Sequence, residues 1–339
     1  MIRLAAAAGK SLLAVAIALA TCWAALAAYW APVSGQAWRL ALAVGVVLAT
    51  VLVFVLIRRK RLALLVWLTG FAAFAAWWAA LEPSGQRDWQ PDVAVPPYAQ
   101  VDGGRVTVHN VRSCLYRTET DYDVRHQDRT YDLAALESVD LIAVYWMGDA
   151  IAHVMTSFGF AGGDTLCISI ETRKARGQEY SSLKGFFKQY ELIYVAADER
   201  DLIGLRARYR QPPEDVYVYR LRLPVEDARK LFLEYIREMN SLRARPQFYN
   251  TLTTNCTTNV VRHFRAFGGK VRYTWKILLS GYAPQYAYEL GALDDSMPFA
   301  QLRARSLVNA KALAAGDAPD FSRRIRQGLP GIGQGGVAP

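Results

Sequence analysis

The chain of 339 residues is 53% hydrophobic and 21% charged, which excludes a low-complexity or intrinsically unfolded polypeptide. Its formal charge of +10 is unevenly spread: residues 1–81 hold seven basic residues and no acidic one, and the remainder holds 33 basic and 30 acidic. The basic balance therefore belongs mostly to an apolar first quarter and gives no support to nucleic-acid binding, while the remaining ~240 residues suffice for a sizeable core.

Three charge-free stretches open the chain, Ser11 to Trp38, Leu40 to Ile57 and Leu62 to Leu81. Each is near or above the ~18–20 residues that cross a bilayer as a helix, so 1–81 reads as a membrane anchor of three transmembrane helices. Tyr29, Trp30, Trp38, Trp77 and Trp78 lie near their ends, where amphipathic rings suit the headgroup zone. Arg58, Arg59, Lys60 and Arg61 between the second and third stretches mark a cytoplasmic loop. With Arg3 and Lys10 the N-terminus is inside, the third helix leaves outward, and the large domain lies on the periplasmic side of the inner membrane. A rival reading takes Met1 to Ala28 as a signal peptide, with Leu19-Ala20-Thr21-Cys22 approaching a lipoprotein cleavage box. Both readings export the domain.

Residues 82–104, with Pro83, Pro91, Pro96 and Pro97, read as a Pro-rich, semi-extended tether. The exported domain is expected over 105–327. Alternation and β-branched content predict strands at Arg105 to Val111, Asp140 to Met147, Ala150 to Phe160, Thr165 to Glu171, Leu192 to Ala197 and Asp215 to Leu223. Ala161-Gly162-Gly163-Asp164 predicts a hairpin, making its two flanking strands antiparallel neighbours. A helix starts near Pro224 and buries Ala228, Leu231, Phe232, Tyr235, Ile236 and Met239. A second starts at Thr254 or Asn255, both competent N-caps, and ends at Gly268-Gly269. The Gly-rich tail 328–339 is expected to be disordered.

Of four cysteines, Cys22 lies in the first apolar run, leaving Cys114, Cys167 and Cys256 for the domain. An odd number in an oxidising compartment leaves a free thiol, and Cys114 with Cys167 are the pair left for a possible disulfide. Cys256 falls in the first turn of a predicted helix, where amides and the helix dipole favour thiolate over thiol. A buried small Cys or a disulfide partner is the plainer alternative. Among His109, His126, His153 and His263, the second helix puts His263 two turns past Cys256, ~10 Å along the axis. His153 is the candidate base, on a strand whose face also presents Met155 and Ser157. Glu171, on the returning strand, is placed to hold the imidazole tautomer. Asn255, Arg173 and Ser157 are candidate oxyanion or substrate contacts, with capping as the ordinary role of Asn255 and solvation that of Arg173. There is no HExxH, CxxC, Walker-type loop, GxGxxG or GxSxG, so no metal, cofactor or serine-hydrolase site is expected.

Several motifs in fixed order resemble the Lnb N-terminal periplasmic domain family. They are Val108-His109-Asn110-Val111-Arg112, Tyr131-Asp132-Leu133, His153 with Ser157-Phe158, Ser169-Ile170-Glu171-Thr172-Arg173, Gly177-Gln178-Glu179-Tyr180, Tyr249-Asn250 and Thr254-Asn255-Cys256-Thr257. The resemblance covers roughly Arg105 to Leu293. It implies a circularly permuted papain-like fold for the exported domain; with the three transmembrane helices read from the apolar stretches, in which this chain departs from the family, the expectation is a membrane-anchored α+β protein with an antiparallel sheet. It further implies Cys256 as nucleophile, His153 as base, Glu171 and Arg173 as a supporting pair, and acyl transfer or hydrolysis on a membrane lipid or lipoprotein substrate. A cell-wall peptide amidase on the same fold, and a non-catalytic anchored module, are the alternatives.

Overall fold

The computed structural model describes residues 2–32, 35–266, 268–269 and 271–332. Of the tail expected to be disordered, 333–339 lie outside the described residues. The chain forms two compact units, 1–83 with 181–189, and 84–180 with 190–339.

The first unit contains α1 (Ile2–Tyr29), α2 (Gln36–Leu56) and α3 (Lys60–Ala80). All three are long and apolar enough to cross a membrane. The Trp23 ring meets those of Phe71, Phe74 and Trp78 edge-on, at centroid distances of 5.9, 6.1 and 6.3 Å. Segment 181–189, with the short α4 (Ser182–Gly185), belongs to this unit and not to the domain around it in sequence. Phe187 is buried with Ala27 and Trp78. The Lys188 ammonium caps α3 by donating to the carbonyls of Trp78, Ala79 and Leu81 at 2.6, 3.2 and 2.9 Å, which satisfies acceptors a helix end leaves open.

The second unit is a mixed α+β domain. Its strands are β1 (Tyr98–Asp102), β2 (Arg105–Arg112), β3 (Leu115–Tyr116), β4 (Tyr122–Asp123), β5 (His126–Asp132), β6 (Leu136–Tyr145), β7 (Ala152–Phe160), β8 (Thr165–Arg173), β9 (Glu191–Ala197) and β10 (Asp215–Arg220). Its helices are α5 (Glu199–Gly204), which continues into a π-helical turn at Leu205–Tyr209, α6 (Val225–Ala244), α7 (Cys256–Ala266), α8 (Trp275–Leu278), α9 (Ala283–Glu289), α10 (Phe299–Ser306), α11 (Asn309–Ala315) and α12 (Phe321–Arg326). The main sheet runs β1-β2-β9-β8-β7-β6-β10, with β5 also on β2. It is antiparallel except where β9 lies parallel to β2 at Ala197 and Arg112, so the expected antiparallel sheet is a mixed one.

The hairpin expected at 161–164 joins β7 to β8. Gly162 and Gly163 have φ of 89° and 93°, a conformation L side chains rarely adopt, and the Phe160 amide donates to Asp164 O at 2.9 Å. Period-2 alternation then sorts the core into two faces. Val154, Phe158, Ile168, Ile170 and Tyr194 pack toward α6 and α7. Met155, Cys167, Val195 and Ala197 pack against α5, the π-helical turn, α11 and α12. Helix α6 begins after Pro224 as predicted and buries the expected face.

The segment expected to be a tether is part of this domain. Trp89 forms a bridge with Ala175, the chain makes a 3₁₀ turn at Pro91–Val93, and Tyr98 starts β1. The prolines stiffen a strap laid along the sheet: Arg173 donates to the carbonyls of Val93 (3.0 Å) and Ala94 (2.8 Å) and lies 4.3 Å from the Trp89 ring centroid.

Candidate active site

Cys256 is the first residue of α7, and Asn255 caps the helix as expected. The Thr258 amide donates to Asn255 Oδ1 at 2.8 Å, while the Asn255 amide donates back to Thr258 Oγ1 at 2.9 Å. Asn255 Nδ2 donates to Thr251 O at 2.7 Å. One N–H of its side-chain amide is thus committed to the local backbone. The half-buried sulfur lies 3.8 Å from Thr257 Oγ1. Burial pushes the thiol above its ordinary pKa; the Val154 N–H and the Thr257 hydroxyl and N–H pull the other way without cancelling it. The expected helix-head depression is present but loses to desolvation.

His153 lies near the start of β7. Its register partner Val144 belongs to the core facing α5, so alternation turns the imidazole toward that face. Ser169 Oγ donates to Glu171 Oε1 at 2.7 Å, and His153 Nε2 lies 2.7 Å from Ser169 Oγ. With the serine proton committed to Glu171, Nε2 is the protonated nitrogen and Nδ1 carries the lone pair. Glu171 Oε1 is 3.9 Å from Nε2 and accepts from Arg206 at 3.0 Å. Burial and the Arg206 charge lower the His153 pKa to about 3, against the opposing pull of Glu171, so the imidazole is neutral at neutral pH. Burial pushes the Glu171 carboxyl up, but Arg206, Arg112 and the Ser169 hydrogen bond hold it well below the usual carboxylate range.

The structure brings some predicted site residues together and separates others. Cys256 packs with the core facing α6 and α7, whereas His153, Ser169 and Glu171 face α5. Among the described residues no hydrogen bond joins the imidazole to the sulfur. Helix α7 packs against β7, and the amide of Val154, the residue after His153, is among the groups that pull the thiol pKa down. Here the sheet forks: β7 pairs with β8 only as far as Met155 with Ser169, while β8 continues on β9 to Arg173 with Glu191. Residues 152–154 thus have no ladder partner on the β8 side in that register.

Two further expectations are corrected. Ser157 donates to the buried Glu199 at 2.5 Å, and Glu199 accepts from Arg326, so Ser157 serves a core polar network and not the oxyanion. Arg173 does not support Glu171; it holds the strap and lines a cavity of about 380 Å³ with Glu191, Leu192, Met239 and Arg243. Arg206, from the π-helical turn, takes the place beside Glu171. Ser169 and Arg206 are the site residues the sequence reading missed. Ser169 was detectable as the residue two before Glu171 on one strand face, whereas Arg206 carries no local signal. His263 donates to or accepts from Tyr194 OH at 2.8 Å, and His109 pairs with Asp128 at 2.7 Å. Cys114 and Cys167 are buried and unbonded to one another.

Fold and site together define an α+β domain that sets a helix-head cysteine against the strand bearing a half-buried histidine, in a chain with three helices of membrane-spanning length. Residues 122–281 match the family model of the Lnb N-terminal periplasmic domain. The match includes His153, Ser169, Glu171, Arg206 and Cys256 but leaves out the His109 motif. Family and helices fit a membrane-anchored protein with a periplasmic domain. Comparison with curated proteins and with solved structures gives no match.

Proposed function

We propose that this chain is an inner-membrane thiol acyltransferase or hydrolase of permuted papain-like design, acting in the periplasm on a lipid-linked ester or amide. The observation that carries the reading is the position of Cys256 at the head of α7, a helix packed against the strand that bears His153. Because the thiol is held protonated, it needs a base, and the neutral imidazole with a bare Nδ1 is suited to that role. For Sγ to attack the acyl carbonyl carbon its proton must reach Nδ1 through the gap in the ladder beside residues 152–154, because the two side chains start on opposite faces of the sheet. The N–H groups of Cys256 and Thr257, the first two of α7, receive the oxyanion. Collapse breaks the bond to the leaving oxygen or nitrogen, which takes the proton from Nδ1, and leaves a thioester. An amine or water then attacks the thioester carbonyl, giving its proton to Nδ1, and the departing Sγ takes that proton back as the thiol.

The test is mass spectrometry of the full chain in nanodiscs after exposure to a phospholipid or lipopeptide carrying an isotope-labelled acyl chain. A thioester on Cys256, absent from Cys256→Ala, is the expected result; equal labelling of both proteins contradicts it. One observation favours a second reading, a non-catalytic anchored module: the imidazole and the sulfur occupy opposite faces of the sheet. No labelling of the parent with any donor is the outcome that reading requires. Release of soluble peptides from cell wall by the purified protein would instead favour an amidase.

A further inference from the structure

The end of the sheet that carries His153 and Cys256 is ringed by exposed apolar residues: Trp146, Met147, Leu252, Tyr273, Trp275 and Leu278 are between 43% and 67% exposed. They come from three segments locked to one another. The Gly281 amide donates to Ala150 O at 3.0 Å, and the Ala152 amide donates to Ser280 Oγ at 2.9 Å. The Trp275 and Tyr282 rings are 5.1 Å apart, and Tyr273 OH donates to Leu252 O at 3.3 Å. Ala152 immediately precedes His153, and Leu252 is four residues before Cys256, so this collar borders the candidate site. Exposed aromatic and apolar side chains gathered at one end are what a soluble surface avoids and an interfacial one uses.

Charge selects the partner. From Met239 to Tyr288 the sequence has seven basic residues (Arg243, Arg245, Arg262, Arg265, Lys270, Arg272 and Lys276) and no acidic one, in a domain whose overall charge is nearly balanced. Arg272 and Lys276 flank Tyr273 and Trp275 within the collar, Lys276 also pairing with Glu289 just beyond that window. The domain also begins at Ser84, four residues beyond α3, a helix of membrane-spanning length. A bilayer is therefore always within its reach.

We propose that this collar is a docking surface for an anionic phospholipid interface, with aromatic and aliphatic side chains among the acyl ends and the basic residues at the phosphates. It serves the proposed function by bringing the mouth of the Cys256 site to the depth at which lipid ester carbonyls lie; in that respect it rests on the reading of Cys256 as the reacting group.

The experiment places a nitroxide on Met147→Cys in full chain carrying Cys22→Ser and Cys256→Ser, in nanodiscs of phosphatidylcholine with or without phosphatidylglycerol. Collision with oxygen, which concentrates in lipid, is compared with collision with a water-soluble nickel chelate. The control site is Asp164→Cys, at the opposite end of β7. The expected oxygen-to-nickel ratio is several-fold higher at 147 than at 164, rises with phosphatidylglycerol, and falls in Arg272→Glu/Lys276→Glu. Equal ratios at the two sites, or a ratio at 147 indifferent to phosphatidylglycerol and charge reversal, would overturn the proposal. No acylation is read, so this outcome and the fate of the thiol chemistry are separable.

Discussion

Replacing Glu171 by Gln keeps the size of the side chain and removes its charge. Arg206, 5% exposed, would then face a neutral oxygen where it now meets a carboxylate at 3.0 Å. Deleting one partner of a buried ion pair costs about 3–5 kcal/mol. Arg206 keeps a bond to Leu202 O at 2.9 Å and has Glu214 at 3.9 Å, and the Glu171 side chain is 18% exposed. Those features bring the expected loss to about 2–3 kcal/mol. The assay is urea unfolding of the full chain in nanodiscs, read by hydrogen exchange at β8 and β9 amides, which isolates the sheet from the membrane helices. In a double-mutant cycle, Glu171→Gln/Arg206→Met should be less destabilised than the sum of the single variants, since the second change removes the orphaned charge. A Glu171→Gln protein within about 0.5 kcal/mol of the parent, the range of an ordinary surface change, would refute the reasoning.

Acid should weaken the domain before its carboxylates protonate. His153 and His263 are both lowered to about 3 in the fold, chiefly by burial, against about 6.5 when unfolded. Between those values the unfolded chain binds more protons, so stability is fully present above pH 6.5 and falls with pH, by about 1–2 kcal/mol per imidazole at pH 5. His263→Asn should flatten part of that slope in unfolding curves at stepped pH, and a flat parent profile from pH 7 to 5 would contradict it. The raised Cys256 thiol predicts slow alkylation by iodoacetamide at pH 7 and acceleration through pH 9, followed by mass spectrometry; rapid labelling at pH 6 would show a thiolate instead. Asn255→Ala removes the cap on Thr258 and should cost about 1 kcal/mol, seen as faster hydrogen exchange in the first turn of α7; unchanged exchange would deny the cap its role.

What was legible in the sequence is what local pattern controls. The run from Ala228 to Met239 has one periodicity and one burial solution, and α6 follows it. The two glycines of the β7–β8 turn and the Asn255 cap are likewise local chemistry. The histidine network was half legible. Glu171 was found by its place on the returning strand, but the proton relay through Ser169 and the cation from Arg206 depend on how a distant segment crosses the sheet. The stretch Glu199 to Tyr209 is dense in charge and has no local pattern that marks it as core; in the fold Glu199, Asp201 and Arg206 are buried because each finds an opposite charge. The Cys256 pKa failed for a related reason, since helix position is a sequence property and desolvation is not. Segment 181–189 shows the same limit: Phe187 and Lys188 join the unit of the three long apolar helices from the middle of the domain's sequence.

The pH dependence of Cys256 acylation by a short-chain activated ester bears most directly on the claim that His153 serves this thiol. If it does, the parent should acylate at a rate that is flat through neutral pH, set by an imidazole already in its basic form. His153→Asn should lose the plateau and recover only as the thiol ionises at alkaline pH. Superimposable profiles for the two proteins would mean that the imidazole and the sulfur, on their opposite faces of β7, do not work together.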